Sequence, residues 1–412
     1  MKRFFLHAVF LSITFLLFCS YYSYALNLTP QSLSVNGYSV ELQVPSGLQV
    51  DFVVSLSSPR FLILGPDNEL LVGSLGNSIY RITQPYSLAE TLVNLPGLNH
   101  SLAFRDGTLY VAETAGLHSA PYTGSSTLLT PGDFSLVAPL PSATGGHATR
   151  TVIQGPDKRL YISLGISGNC SDEYLDTNYP FELRRGGVYV LDESGDQPVL
   201  LPYASGLRNP IGLAFYPWTS VLYATNAGSD NLGFDLPPEV FAALSNGSYH
   251  GMPWFQYYNG QFRSGECSTS LPPRPAEEAT PPAVTFSARS TPQGIAFVAD
   301  TKLGNDFFGN GLVAIHGSWA TPPGGDDSTR RPPKISMVRF VNNKPQSVED
   351  VVTGFQRSDG SRFARPSGML MGPDGNLYFT SDSGEVTGLF RLSPAKRPLS
   401  AIYLLLLKNK LN

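Results

Sequence analysis

Charge is scarce in this chain. Asp, Glu, Lys and Arg together make up only 15% of 412 residues, and the formal net charge is −4. No Lys/Arg run or basic stripe occurs, so the electrostatic footprint of a nucleic-acid-binding protein is missing. Motifs are missing too: the sequence has no Walker loop, no G-x-S-x-G, no H-E-x-x-H and no paired C-x-x-C. Cysteine is rare at three residues, which excludes a disulfide-dense scaffold. Convincing helical periodicity is also rare. Residues 237–244, Pro-Pro-Glu-Val-Phe-Ala-Ala-Leu, are the best candidate for one or two helical turns, with Asp235 near the start.

What is present is turn and strand chemistry. Forty glycines and 34 prolines punctuate a chain that is 11% aromatic. The apolar fraction of 42% argues against disorder. The N-terminus reads as an export signal spanning residues 1–25. Lys2 and Arg3 precede an apolar stretch over 4–18, and Ser23-Tyr24-Ala25 offers small residues at a cleavage site. The expected mature protein is secreted or periplasmic, without stable insertion into a membrane. Apolar residues 401–407, within the tail 399–412, are too few to span a bilayer. Cys170 and Cys267 remain after cleavage, either as one disulfide or as two free thiols.

Between these ends one unit recurs: a strand, a tight turn and a second strand. Phe61-Leu62-Ile63-Leu64-Gly65-Pro66-Asp67 leading to Leu70-Leu71-Val72-Gly73 is the first copy. Further copies lie at 101–113, 151–163, 212–225, 294–316 and 368–380, the fifth interrupted by an insertion. Asp-Gly, Asp-Asn and Pro-Asp pairs are the residues such turns require. One strand pair cannot bury both faces, so recurrence implies stacked copies. Six copies predict an all-β, six-bladed β-propeller over residues 26–398. The widest gap predicts a loop insertion around 226–290 on one face.

Blade ends of a propeller converge on a central channel. His100, His147 and His316 each flank a repeat strand, which makes them candidates for one shared site. His147 follows a glycine loop, Gly145-Gly146, just before the third copy. An imidazole titrates near neutrality and suits a general base.

Four collinear segments resemble the soluble quinoprotein glucose/sorbosone dehydrogenases. They are Gly146-His147 running into Gly155-Pro156-Asp157; Leu207-Arg208-Asn209-Pro210-Ile211-Gly212; Asn226-Ala227-Gly228-Ser229-Asp230; and residues 365–378. Ala314-Ile315-His316-Gly317-Ser318-Trp319 is similar to the sorbosone-dehydrogenase branch. The resemblance implies pyrroloquinoline quinone and calcium as cofactors, and a sugar, sugar aldehyde or polyol as small-molecule substrate. The electron acceptor stays unnamed. His147 then corresponds to the catalytic base, and Arg208 to the arginine beside the quinone oxygens. Asn209 and Arg365 correspond to further cofactor contacts, and the carbonyls of Gly228 and Ser229 to calcium ligands. Ser318 falls where the glucose branch has a lysine, and Ser367 where it has a second arginine. Gly146 stands in place of an acidic residue. His316 and Trp319 are expected to substitute for the lysine, with His100 and Trp319 near the substrate. Two other readings compete. One is a non-catalytic propeller binding carbohydrate or protein. The other is a metal-dependent hydrolase using Glu113, Asn226 and Asp382.

Overall fold

The computed structural model describes residues 25–396 apart from 143–145, 265–266 and 269. The expected export signal, save Ala25, and the tail 399–412 lie outside the described residues. Six sheets, each built on four antiparallel strands, form a six-bladed propeller.

Each copy read from the sequence supplies the two inner strands of a blade. Blade 1 is Pro59–Leu64, Leu70–Ser74, Ser78–Ile82 and Ala89–Asn94. Blade 2 is Ser101–Arg105, Thr108–Ala112, Gly116–Pro121 and Ser135–Pro139. Blade 3 is Arg150–Gln154, Leu160–Leu164, Gly187–Asp192 and Val199–Ser205, edged by a short parallel strand Ser248–Tyr249. Blade 4 is Pro210–Phe215, Leu222–Asn226, Glu239–Leu244 and Val284–Phe286. Blade 5 is Pro292–Phe297, Gly311–Ile315, Lys334–Val341 and Lys344–Val352. Blade 6 is Pro366–Met371, Leu377–Ser381 and Gly388–Pro394, and takes its outer strand, Leu48–Ser55, from the start of the chain. That last pairing closes the ring.

Two expectations are corrected. Residues 239–244 form the third strand of blade 4, because Leu222–Asn226 offers them a full ladder of partners and buries Phe241 completely. Cross-strand pairing outweighs a weak helical propensity. Among the described residues the only helices are four single 3₁₀ turns. The stretch 226–290 is not simply loops on one face. It carries the two outer strands of blade 4, and residues near both its ends, Gly228, Asp230 and Glu239 at one and Arg289 at the other, reach the central channel.

The repeat's glycines have a steric reason. Gly212, Gly294 and Gly368 open the inner strands of blades 4, 5 and 6, one residue beyond the pattern Pro-x. A Cβ at these positions would lie 2.0 Å from the Gln293 carbonyl oxygen, 2.6 Å from that of Ser367 and 2.3 Å from that of Arg60. Only glycine lets neighbouring inner strands approach this closely. Hydroxyls stitch the same seams. Thr225 Oγ1 donates to Gln293 O at 2.7 Å, and Thr380 Oγ1 donates to Arg60 O at 2.7 Å. The turn aspartates act locally: Asp157 and Asp374 accept from the hydroxyls of Tyr161 and Tyr378 at 2.9 and 3.0 Å. Aromatic rings fill the wedges between blades, as where Tyr216 stacks on Phe340 at 4.4 Å.

Candidate active site

The residue after each inner-strand proline, and its counterpart in blades 2 and 3, forms the waist of the channel. These are Arg60, His100, Thr151, Ile211, Gln293 and Ser367, one per blade. Arg60 Nε donates to His100 Nδ1 at 3.1 Å, and Thr151 Oγ1 lies 3.3 Å from His100 Nε2. Ser367 Oγ donates to Gln293 Oε1 at 2.7 Å. Arg60 also forms a buried ion pair with Asp382. Asp382 in turn lies 2.7 Å from His316 Nε2. Burial opposes ionisation of Asp382, but His316 and Arg60 hold its carboxyl well below the usual carboxylate range. Burial pushes His316 down to about 4, so its Nε2–H donates from a neutral ring.

Beside this waist opens a cavity of about 1070 Å³. His147, Arg208, Asn209, Gly228, His316, Trp319 and Arg365, all singled out from sequence, line it. His147 sits on the loop that enters blade 3. Buried Arg150 and Arg185 brace that loop, each donating to the His147 carbonyl, at 2.8 and 3.1 Å. The imidazole Nδ1 lies 2.6 Å from Ile166 O. A carbonyl only accepts, so Nδ1 carries the proton and Nε2 is left as the basic nitrogen. Burial and the nearby Arg208 charge push the imidazole down to about 4. Gly165 permits this placement: a Cβ there would lie 2.6 Å from Asn209 Oδ1 and 2.7 Å from His147 Cβ.

Arg208 is fixed by Asn169, donating from Nε to its carbonyl at 3.0 Å and from Nη2 to its Oδ1 at 2.8 Å. Asp230 Oδ2 is 3.2 Å from Nη2. Cys170, the neighbour of Asn169, is bonded to Cys267, which settles the open cysteine question as a disulfide. Arg365 donates to the carbonyls of His316 and Gly317 at 3.0 and 3.1 Å and lies 4.8 Å over the Trp319 ring. Burial pushes the Arg365 guanidinium down to about 10, still charged at neutral pH. Trp319 is 75% exposed and presents a free aromatic face at the cavity mouth.

Three expected site residues stand elsewhere. His100 is wholly buried under Arg60 and against Phe61, at 4.5 Å between rings, so it cannot meet a substrate in the cavity. Ser318 is buried, with its hydroxyl donating to Ala320 O at 2.5 Å; it braces the segment that presents Trp319. Ser229 is buried with its hydroxyl on Gln256, and its carbonyl accepts from Arg289.

Sequence reasoning missed Arg60, Arg289 and Glu239, all of which line the cavity. Arg60 occupies the Pro-x position that the repeat itself marks. Glu239 accepts from the Gly228 N–H at 2.6 Å. Burial, only partly offset by Gly228 and Arg208, raises its carboxyl to about 7. Four arginines therefore face one cavity with Asp230, Glu239 and Asp382. A tricarboxylate fits this donor set, because planar guanidiniums pair carboxylates. Calcium at Gly228 and Ser229 fits poorly, since a guanidinium already takes the Ser229 carbonyl. Of the hydrolase candidates, only Asp382 lines the cavity, and no group of three His, Cys, Asp or Glu could hold a metal among the described residues.

A TrAA12-like family model matches residues 42–238. A Trichoderma reesei protein of carbohydrate-active enzyme family AA12 is 19% identical over 89% of this chain and all of that one, with a TM-score of 0.73. The holo form of the pyranose dehydrogenase PQQ domain from Coprinopsis cinerea is 18% identical, over 86% of this chain and 97% of that one, with a TM-score of 0.65. The soluble aldose sugar dehydrogenase of Escherichia coli, in its apo form, is 17% identical, over 84% of this chain and 100% of that one, with a TM-score of 0.58. An uncharacterised Borreliella burgdorferi protein is 22% identical over 371 residues, 83% of this chain and 89% of its own. The chain thus shares its fold with the AA12 protein and with the pyranose and aldose sugar dehydrogenases, in agreement with the fold that the resemblance of its segments implies.

Proposed function

We propose that this chain is an oxidoreductase acting on a hydroxyl or hydrated aldehyde of a sugar or polyol, with pyrroloquinoline quinone as its cofactor. One observation carries the reading: His147, whose Nδ1 is taken by Ile166 O, lines the same cavity as Arg208, Arg365 and Arg60. The cofactor, when bound, supplies the hydride acceptor. His147 holds its Nε2 ready for the substrate hydroxyl proton, with Ile166 fixing the tautomer. Arg208, locked by Asn169 and Asp230, provides a fixed positive charge where negative charge develops. Arg365 and Arg60 would hold the cofactor's carboxylates, Asn209 would offer an amide, and Trp319 would offer a sugar ring an apolar face. No step is routed through calcium. The N-terminal stretch supports export, and among the described residues no helix is long and apolar enough to cross a membrane.

Ser318 and Ser367, standing where the glucose branch has a lysine and an arginine, favour a second reading in which a ligand binds without turnover. Reconstitution separates the two. Purified protein is mixed with pyrroloquinoline quinone, and a panel of aldoses, keto-aldehydes and polyols is offered with a dye acceptor. Quinone-dependent dye reduction that vanishes in His147→Ala supports the dehydrogenase. Quinone binding with no turnover across the panel supports the binding protein. Failure to bind quinone at all removes the proposal.

A further inference from the structure

Arg289 lies in the turn between blades 4 and 5 and does more than line the cavity. Its Nη1 donates to Ser229 O and to Asp230 Oδ1. Its Nη2 donates to Gly233 O and, at 3.1 Å, to Leu236 O; its Nε donates to Gly233 O at 3.1 Å. Three carbonyl oxygens and one carboxylate thus converge on one guanidinium. Hard oxygens gathered in this way, from backbone and an aspartate, are what a calcium ion takes as ligands. Here a side chain already fills the cage.

The backbone around Arg289 is unusual in the direction this role requires. Arg289 has φ +66° and Thr291, two residues on, has φ +52°. Left-handed backbone is costly for residues with a Cβ, most of all a β-branched one, and persists where surrounding contacts over-determine it. Both residues line the cavity, and Arg289 is buried. Asp230 is shared between Arg289 and Arg208, so the two guanidiniums are tied through one carboxylate.

We propose that Arg289 is a built-in cation that takes the place of a divalent metal, so that the cavity binds its anionic ligand without calcium. This rests on the polycarboxylate quinone reading above. A fixed guanidinium differs from an ion in consequence as well as form. It cannot be removed by chelation, and it leaves the oxygens of residues 229–236 committed. The loop is therefore ordered before any ligand arrives.

Calorimetric titration tests this directly. Pyrroloquinoline quinone is titrated into chelator-treated protein, with and without added calcium chloride. Calcium chloride alone is also titrated into the parent, Arg289→Met and Arg289→Lys. The expected quinone Kd is the same within about 2-fold with or without calcium. Arg289→Met is expected to weaken quinone at least 10-fold in metal-free buffer, and to bind one more calcium ion than the parent. Arg289→Lys, which keeps the charge in a conservative fold background, should bind no additional calcium. A parent Kd tightened 10-fold or more by calcium overturns the proposal. If the parent binds no quinone under either condition, the cofactor reading fails. The cage is then judged by calcium alone: an extra ion in Arg289→Met upholds it, and equal stoichiometry in parent and variant overturns it.

Discussion

The Nδ1 of His147 lies 2.6 Å from the carbonyl oxygen of Ile166, across the entrance of blade 3. This contact decides which nitrogen can act as a base. It also sets a pH expectation. Burial and Arg208 hold the imidazole at about 4, below an ordinary histidine, so the neutral ring dominates above that value. Turnover should rise with pH through an acid limb near 4 and not near 6.5. Replacing His147 with Ala should lower kcat by about 10²–10⁴-fold. A pH profile of kcat/KM with an acid limb above 6 in the parent would contradict the assignment.

Gly165 is expected to matter for catalysis more than for folding. Adding a Cβ places it 2.6 Å from Asn209 Oδ1 and 2.7 Å from His147 Cβ, so one or both side chains must move. Overpacking of this kind costs about 1–3 kcal/mol of stability. A displacement of about 1 Å at a reacting group can cost about 100-fold in rate. Gly165→Ala should therefore stay folded, judged by thermal unfolding, while kcat drops by at least about 10-fold. Full activity with normal stability would show that the two side chains are not held through this contact.

The Arg60–Asp382 pair joins blades 1 and 6 at the waist, both partners buried. Removing one charge leaves the other without compensation. Asp382→Asn should lose about 3–5 kcal/mol in urea unfolding. Replacing both, as Arg60→Met with Asp382→Leu, should recover much of that loss. Equal losses in the single and double variants would mean that the pair's hydrogen bonds to His100 and His316 dominate.

Glu239 works against stability as pH rises. Its carboxyl is raised to about 7 in the folded chain by burial, above the ordinary glutamate value. The folded state therefore holds the proton more tightly than the unfolded chain, and this contribution is lost as pH rises through about 7. Glu239→Gln keeps an acceptor for the Gly228 N–H and removes the ionisation. The variant's melting temperature should gain on the parent between pH 5 and pH 8. An unchanged difference across that range would place the titration elsewhere.

Much of this molecule is legible along the chain, because its organising signals are local. Strand alternation and Gly-Pro-Asp turns depend on a few neighbouring residues, so six copies announce six blades. His147, Arg208, Asn209 and Arg365 stand beside those repeats and inherit their geometry, which is why they reach one cavity. The tertiary structure decides what depends on distant partners. His100 flanks a strand as His147 does, yet Arg60 of the neighbouring blade covers it. Residues 239–244 become a strand because a neighbouring strand supplies the ladder. Cys170 and Cys267 meet across 97 positions only when blades 3 and 4 are side by side. Arg289 finds the oxygens of Ser229, Asp230, Gly233 and Leu236 only once the outer strands of blade 4 have paired. Turn and strand preferences are written in short-range sterics, whereas burial and charge pairing belong to the assembled channel.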